Sequence, residues 1–328
     1  MSPASLARRL NLGPLALALW HRPLGRLRDS WRNGGPLVVR GTERQRLEMA
    51  AAALGLPPLP ARPGAPRVTL HLLTGRRFWY QTAFCLHSFA RHADAEVHAE
   101  IYDDGTFDAE LRARLAAFGP RLVFHSAPEI RARLDDLLPE SRFPALRERW
   151  RNYPNLRKLI DPHLGSTGWK LVIDSDLLFF RRPTLLLDWC AAPDRPLHAV
   201  DCTESYGYSR PLMEKLAGAP IPPLVNVGLC GLRGESLNWP ELEAWTAELQ
   251  AREKTSYFLE QALVAMLVAR AQPCAIAPAA DYITLPTRDE VLAPRAVMHH
   301  YVDTAKRWYF RHGWRRAGTA LAARPPAS

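Results

Sequence analysis

The sequence predicts an α/β protein, with a mixed and mostly parallel sheet flanked by helices and preceded by a helical extension. Three observations carry that expectation. From residue 67 onward, short apolar runs alternate with amphipathic segments of helix length, the signature of a sheet covered by helices. The polar clusters Thr74-Gly75, Asp103-Asp104 and Asp174-Ser175-Asp176 each end such a run, and open parallel sheets bind ligands beyond the carboxyl ends of their strands. The central run, residues 170–173, is short and apolar with two β-branched residues, which suits a buried strand.

Residues 1–56 read as mainly helical, ending in an alanine-rich stretch, and residues 57–64 (PPLPARPG) read as a linker. Strands are expected at 67–73, 98–102 and 121–125, with helices at 78–91, 107–118, 129–138 and 144–164 leading into the central strand. A second apolar run, 177–180, follows the Asp174-Ser175-Asp176 triplet at once, and Arg181-Arg182-Pro183 closes it because proline cannot continue a ladder. Further strands are expected at 197–200, 225–232 and 274–276, with helices at 240–250 and 257–270. Residues 297–308 form the last expected element. No internal repeat interrupts this order.

With 328 residues the chain is long enough for one core of about 250 residues plus an appendage. A composition 47% hydrophobic and 23% charged is that of a globular rather than a disordered protein. The formal charge of +10 suits an anionic partner or surface, and it is concentrated at the ends, in Arg8, Arg9, Arg22, Arg26, Arg28 and Arg32 and in Arg307, Arg311, Arg315 and Arg316. No nucleic-acid reader motif accompanies that charge, so no nucleic-acid partner is expected. The five cysteines are widely spaced and never paired as CxxC, which argues against a disulfide framework or zinc site and favours a reducing, cytoplasmic compartment. The apolar run 10–20 is too short to span a bilayer and is followed by no small-residue cleavage site. It reads as a packed or interfacial helix. The basic termini, with Trp20, Trp31, Trp308 and Trp314 among them, suggest peripheral association with the inner face of a membrane.

Asp174 and Asp176 lie between two apolar runs, where carboxylates are costly unless something neutralises them. A hard divalent ion such as Mg²⁺ or Mn²⁺ does so, taking one or two carboxylates from the protein and the rest of its shell from phosphate and water. The competing reading is a strand-end turn with both aspartates solvated or capping. Lysine usage adds a pointer. Of 43 basic residues only Lys158, Lys170, Lys215, Lys254 and Lys306 are lysines, and a compact ammonium is what meets a single phosphate oxygen.

The segment VIDSDLLFFRRP resembles the DxD segment of GT-A glycosyltransferases, in which the carboxylates hold a divalent ion against the diphosphate of a nucleotide-sugar donor. Residues 300–308 (HYVDTAKRW) resemble the HxxGxxKPW motif of family 8 of these enzymes: His300, Lys306 and Trp308 match, Asp303 replaces the glycine and Arg307 the proline. The resemblance implies that His300, or else its neighbour His299, completes a metal site with Asp174 and Asp176, and that Lys306 meets the diphosphate. Their donor atoms are then expected within about 6 Å of one another. Lys158, in Arg157-Lys158-Leu159, takes the place of a basic residue that contacts the donor. Asn226-Val227-Gly228 is similar to a stretch beside the sugar, Glu260-Gln261 to an Asp-Gln pair, and Asp201 to a carboxylate that binds donor hydroxyls. Thr74 and Asp104, at the ends of the first two strands, are further candidates for the nucleotide side.

The resemblance runs in order from about residue 67 to residue 310. It divides the chain into a helical extension and linker (1–66), a GT-A domain (67–310) and a basic tail (311–328). The implied reaction moves a sugar from a nucleotide-diphosphate-sugar donor to a glycan, lipid-linked or other hydroxyl acceptor, with Mn²⁺ or Mg²⁺ as cofactor. Retention of configuration is implied, with Gln261 near the reacting carbon; an inverting enzyme would use Glu260 or Asp201 as base. Two rival readings are a non-catalytic relative of the same fold and a haloacid-dehalogenase-type phosphatase. The phosphatase places its DxD on an early strand, whereas about 100 residues of strand and helix come first here.

Overall fold

The computed structural model describes residues 35–322. The basic and tryptophan-containing segment before residue 35 and residues 323–328 lie outside the described residues. The chain divides into two units, residues 1–51 and 52–328. The first is described through helix α1 (Pro36–Ala53), whose exposed face carries Arg44–Glu48 and Arg46–Glu43 pairs one turn apart.

The second unit holds the sheet. In chain order it runs β1 (Arg67–Thr74), α2 (Trp79–His92), β2 (Glu96–Asp103), α3 (Ala109–Ala116), β3 (Leu122–His125), α4 (Ala127–Leu137), α5 (Pro144–Asn152), α6 (Pro154–Ile160) and β4 (Trp169–Ile173). Then come β5 (Leu177–Phe179), α7 (Thr184–Ala191), β6 (Leu197–Val200), α8 (Arg210–Ala217), β7 (Val225–Arg233), α9 (Trp239–Glu253) and α10 (Leu259–Arg270). The unit closes with β8 (Ala275–Ile276), β9 (Tyr282–Thr284), α11 (Arg288–Leu292), β10 (Met298–His300) and α12 (Trp314–Ala322).

Seven strands form one sheet in the order β3-β2-β1-β4-β7-β6-β8. The run from β3 to β4 is parallel, β7 is antiparallel to both its neighbours, and β8 is parallel to β6. β1 and β4, expected in one sheet, are direct neighbours, with Leu70 opposite Leu171. A second sheet, β5-β10-β9, is small and made of three-residue strands.

Two helices clamp the centre. Twelve consecutive residues of α2, Trp79 to Ala90, are buried, and the helix packs on β5 through an edge-to-face Phe89–Phe179 pair. Ser88 Oγ accepts the Phe179 N–H at 3.1 Å, which ties a short strand to the helix. α10 is apolar on nearly every side and buried along almost its whole length, as a helix inside a core must be. Glu260 and Gln261 in its first turn are therefore carried into the interior.

The single helix expected over 144–164 is two helices. The residue before a proline is pushed out of the α region, and Tyr153 adopts φ −137°, ψ 98°, so α5 ends and Pro154 starts α6 at the position proline favours. The chain also continues past Trp308, expected as the end of the last element: a π-helical turn (Tyr309–Gly313) leads into α12, whose Trp314 packs on Phe84. Strand β9 was absent from the expected elements. Among the described residues no helix is long and apolar enough to cross a membrane.

The α5–α6 corner is locked by a buried acid. Trp150 Nε1 donates to Asp161 Oδ1 at 2.7 Å, and Arg133 donates to the Asp161 carbonyl at 2.7 Å. Asp161 is 1% exposed and its Oδ2 has no hydrogen-bond partner. Burial pushes its carboxyl up to about 7, against the pull of the Trp150 hydrogen bond and the nearby Arg157 and Arg133. The folded chain thus holds this proton more tightly than the unfolded one, for which a value near 3.9 applies. Asp161 should therefore cost no stability below about pH 4, an increasing amount between about pH 4 and pH 7, and a constant amount above that. Asp161→Asn keeps the Trp150 acceptor and removes the charge. Its thermal midpoint relative to the native chain is expected to improve from about pH 4 to about pH 7 and then to level off; a constant difference across that range would show that Asp161 does not titrate in the fold.

Candidate functional site

The two sheets meet at the aspartates. β4 ends at Ile173 in the large sheet, and Asp174-Ser175-Asp176 carries the chain across to β5 in the small one. β10 pairs antiparallel with β5, and its register sets His300 opposite Leu177. The Tyr301 N–H then donates to the Asp176 carbonyl at 3.2 Å. On the other side, the Asp174 N–H donates to the carbonyl of Gly228 in β7 at 2.8 Å. Backbone pairing alone therefore brings residues 174, 176, 228 and 300 to one point.

The side chains converge accordingly. One ligand atom from each of Asp174, Asp176 and His300 lies within 4.8 Å of the others. His300 Nε2 is 3.6 Å from Asp174 Oδ2 and 3.4 Å from Asp176 Oδ1. His300 is 3% exposed, yet neither ring nitrogen has a hydrogen-bond partner, and Asp176 Oδ1 has none. Buried polar atoms are rarely left so. Two carboxylates and an imidazole with unspent lone pairs fit a divalent cation. His299, one residue earlier on β10, faces the other way, its ring 4.9 Å from Phe180 and its Nδ1 3.3 Å from the Tyr301 hydroxyl. His300 is the histidine at the site.

Two ammonium groups flank the carboxylates. Lys158 Nζ donates to Asp174 Oδ1 at 2.7 Å and lies 3.3 Å from Glu260 Oε2. Lys306 Nζ donates to Asp176 Oδ2. Burial pushes the Asp176 carboxyl up, but Lys306 and His300 beside it outweigh that and hold it well below the usual carboxylate range. Burial likewise works against the Lys158 ammonium, and Asp174 and Glu260 more than offset it. Burial raises the Glu260 carboxyl, with Lys158 pulling the other way.

Gly228 has a specific reason to be glycine: a Cβ there would lie 2.2 Å from His300 Cε1. Asp303, standing where the similar motif has glycine, adopts φ 41°, the left-handed conformation glycine would supply and aspartate tolerates better than most residues. The turn that brings Lys306 back to Asp176 is thereby retained.

A second cluster adjoins the first through β7 and α10. Gln261 Nε2 donates to Asp201 Oδ2 at 2.8 Å and to the Val225 carbonyl at 2.9 Å. Asn226 Oδ1 accepts the Gly228 N–H at 2.9 Å. Thr74 and Asp104 lie at the ends of β1 and β2. The buried Thr74 hydroxyl accepts from the Thr82 hydroxyl at 2.8 Å, and the Thr74 carbonyl accepts the Asp104 N–H at 2.9 Å. Asp104 is held by Thr106, its carboxyl raised by burial, and its carbonyl accepts from Arg157 at 2.6 Å, one residue from Lys158.

Sequence reasoning named Arg157 and Glu260 within their segments but not the part each plays here. Arg157 joins Asp104 to the Trp150 carbonyl, with its guanidinium 4.2 Å from the Trp150 ring, and so fixes the helix that carries Lys158. Glu260 is the second carboxylate on Lys158; a charged residue opening an otherwise apolar helix was the available signal.

No family model matches the chain, and none of the curated proteins matches it in sequence. Solved structures do. A galactosyltransferase, LgtC, in complex with donor and acceptor sugar analogs superposes with a TM-score of 0.50 at 14% identity, covering 79% of this chain and 98% of that one. The apo form of mouse xyloside xylosyltransferase 1 gives a TM-score of 0.48 at 15% identity, covering 71% of this chain and 97% of that one. The fold is that of GT-A glycosyltransferases: a mixed, mostly parallel sheet between helices, with the Asp174–Asp176 triplet at the carboxyl edge of a central strand.

Proposed function

We propose that this protein is a divalent-metal-dependent glycosyltransferase that moves a sugar from a nucleotide-diphosphate-sugar donor to a hydroxyl acceptor. The observation that carries the reading is the convergence of Asp174, Asp176 and His300, with Asp176 Oδ1 and His300 Nε2 unpartnered and Lys306 beside them. These three residues would hold Mn²⁺ or Mg²⁺. When bound, such an ion neutralises charge on the donor diphosphate as a Lewis acid. Lys306 adds a compact ammonium at the same edge, aimed at charge that grows on the leaving diphosphate. Thr74 and Asp104 would line the nucleotide end, with Lys158, Asn226 and Gly228 nearer the sugar.

Retention is the stereochemistry the side chains favour. Gln261 spends its amide donors on Asp201 and Val225, so it can turn only a carbonyl oxygen to a donor sugar, which suits an oxocarbenium-like centre but cannot act as a base. The two carboxylates available as an inverting base are engaged, Glu260 with Lys158 and Asp201 with Gln261 and the Cys202 N–H. Incubation with Mn²⁺ and a panel of nucleotide-sugars is expected to release a nucleoside diphosphate, and NMR of the product should show the donor's anomeric configuration. No release from any donor, with glycan or lipid-linked acceptors present, would refute the reading.

A membrane-borne acceptor agrees with the basic C-terminal face. Arg288, Arg307 and Arg311 are exposed, with the Arg307 guanidinium 4.3 Å from the Trp308 ring. Basic residues near an anionic leaflet contribute about 1 kcal/mol each. The protein should sediment with vesicles containing anionic lipid at low salt and not with neutral ones; equal, negligible binding to both would discard the membrane reading while leaving the transferase reading intact.

A further inference from the structure

Both carboxylates offered to the cation are already paired with an ammonium group, and the two lysines are not equivalent. Lys306 has a side chain 33% exposed, so it can swing outward to solvent or to an anion. Lys158 cannot: its side chain is 10% exposed, between Asp174 and a Glu260 whose side chain is 6% exposed. We propose that the two lysines are exchangeable counter-ions of the metal carboxylates, and that Glu260 is a positioning residue that receives Lys158 when a divalent cation takes Asp174. The proposal rests on the metal reading of the site.

The argument is one of charge and reach. An ammonium has three donors, so Lys158 serves Asp174 at 2.7 Å and Glu260 at 3.3 Å at once. An ion pair this buried is strongly destabilised when one member is left alone. A cation on Asp174 repels the ammonium that shares the carboxylate, and without Glu260 that ammonium would be stranded in the interior. With Glu260 it needs only to give up one of two contacts it already has. A divalent ion adds two positive charges to a site in which two ammonium groups already face the carboxylates, an excess of positive charge. An incoming diphosphate reverses that excess and offers Lys306 a new partner, so cation and donor should each favour the other's binding. The two lysines also keep the aspartates neutralised whenever the cation is away.

The test is Mn²⁺ binding by the full chain without donor, read as the free-ion electron paramagnetic resonance signal. Lys158→Met and Lys306→Met are each expected to bind Mn²⁺ about tenfold more tightly than the native protein, the scale of one charge-assisted contact no longer competed for. Glu260→Gln, and Glu260→Asp with its shorter reach, should bind more weakly. That loss should be large when Lys158 is present and should fall away in the Lys158→Met background. Equal losses in both backgrounds would mean that Glu260 acts only through space, and lysine variants that bind no more tightly would remove the competition; either result overturns the proposal. Thermal midpoints identify a variant that has failed to fold, and the remaining glutamate variant then decides. If neither the native chain nor a lysine variant binds Mn²⁺, the metal reading itself fails, which is a separate outcome.

Discussion

Replacing Lys306 by alanine should lower donor turnover about 10²–10³-fold, corresponding to the ~2.7–4 kcal/mol that one preorganised donor contributes at a developing anion. A third of the Lys306 side chain is exposed, so its removal leaves no sealed cavity in the core. It does strip a counter-ion from Asp176, a carboxylate with only 15% of its side chain exposed. The thermal midpoint of Lys306→Ala should therefore fall without Mn²⁺ and recover when Mn²⁺ is added, whereas turnover should stay low in both conditions. Lys306→Arg sharpens the test. It keeps the charge but replaces a compact ammonium with a planar fork, and should also lose most activity if one phosphate oxygen is the target. Full activity in the alanine variant would remove Lys306 from the site.

Gly228→Ala should be the most damaging single-methyl change near the site. The new Cβ would lie 2.2 Å from His300 Cε1 and within 2.8 Å of both ring nitrogens, and a ring 3% exposed has little room to yield. Overpacking of this kind costs about 1–3 kcal/mol of stability. Because the displaced group is a ligand candidate, Mn²⁺ affinity should also fall about 10–100-fold, the usual effect of losing a contact that orients a metal ligand. Gly231→Ala is the control. It lies on the same strand, and its Cβ would meet the Trp189 ring at 2.5 Å, so it should cost comparable stability and leave Mn²⁺ affinity unchanged. Matching losses of Mn²⁺ affinity in the two variants would show that the effect comes from strain in β7 rather than from His300.

The strands of the large sheet were legible because each is a local apolar run closed by polar residues, and β1, β2 and β4 carry their polar clusters where they were read. What local patterns could not show was how Asp176 and His300 meet. The contact depends on β5 and β10, three residues each and more than 100 residues apart, and a three-residue strand has no periodicity to read. The motif around His300 identified the residue without its mechanism of approach. The break at Pro154 was written in the sequence, since proline disfavours helix at the residue before it, but the apolar spacing on both sides masked it. Past Trp308, the arginines of 311–316 disguised a helix that buries Ala317 and packs Trp314 on Phe84. Glu260 escaped notice as a partner of Lys158 because pairing between α6 and α10 is a matter of tertiary packing, invisible to any window of sequence.

The most direct test of the account is calorimetric binding of uridine, guanosine, adenosine and cytidine diphosphates to the native chain and to Asp176→Asn, with and without Mn²⁺. If Asp174, Asp176, His300 and Lys306 form one donor site, at least one nucleotide binds the native protein only when Mn²⁺ is present, and that binding is lost in the asparagine variant. Binding that needs no Mn²⁺ and survives Asp176→Asn unchanged would contradict the account.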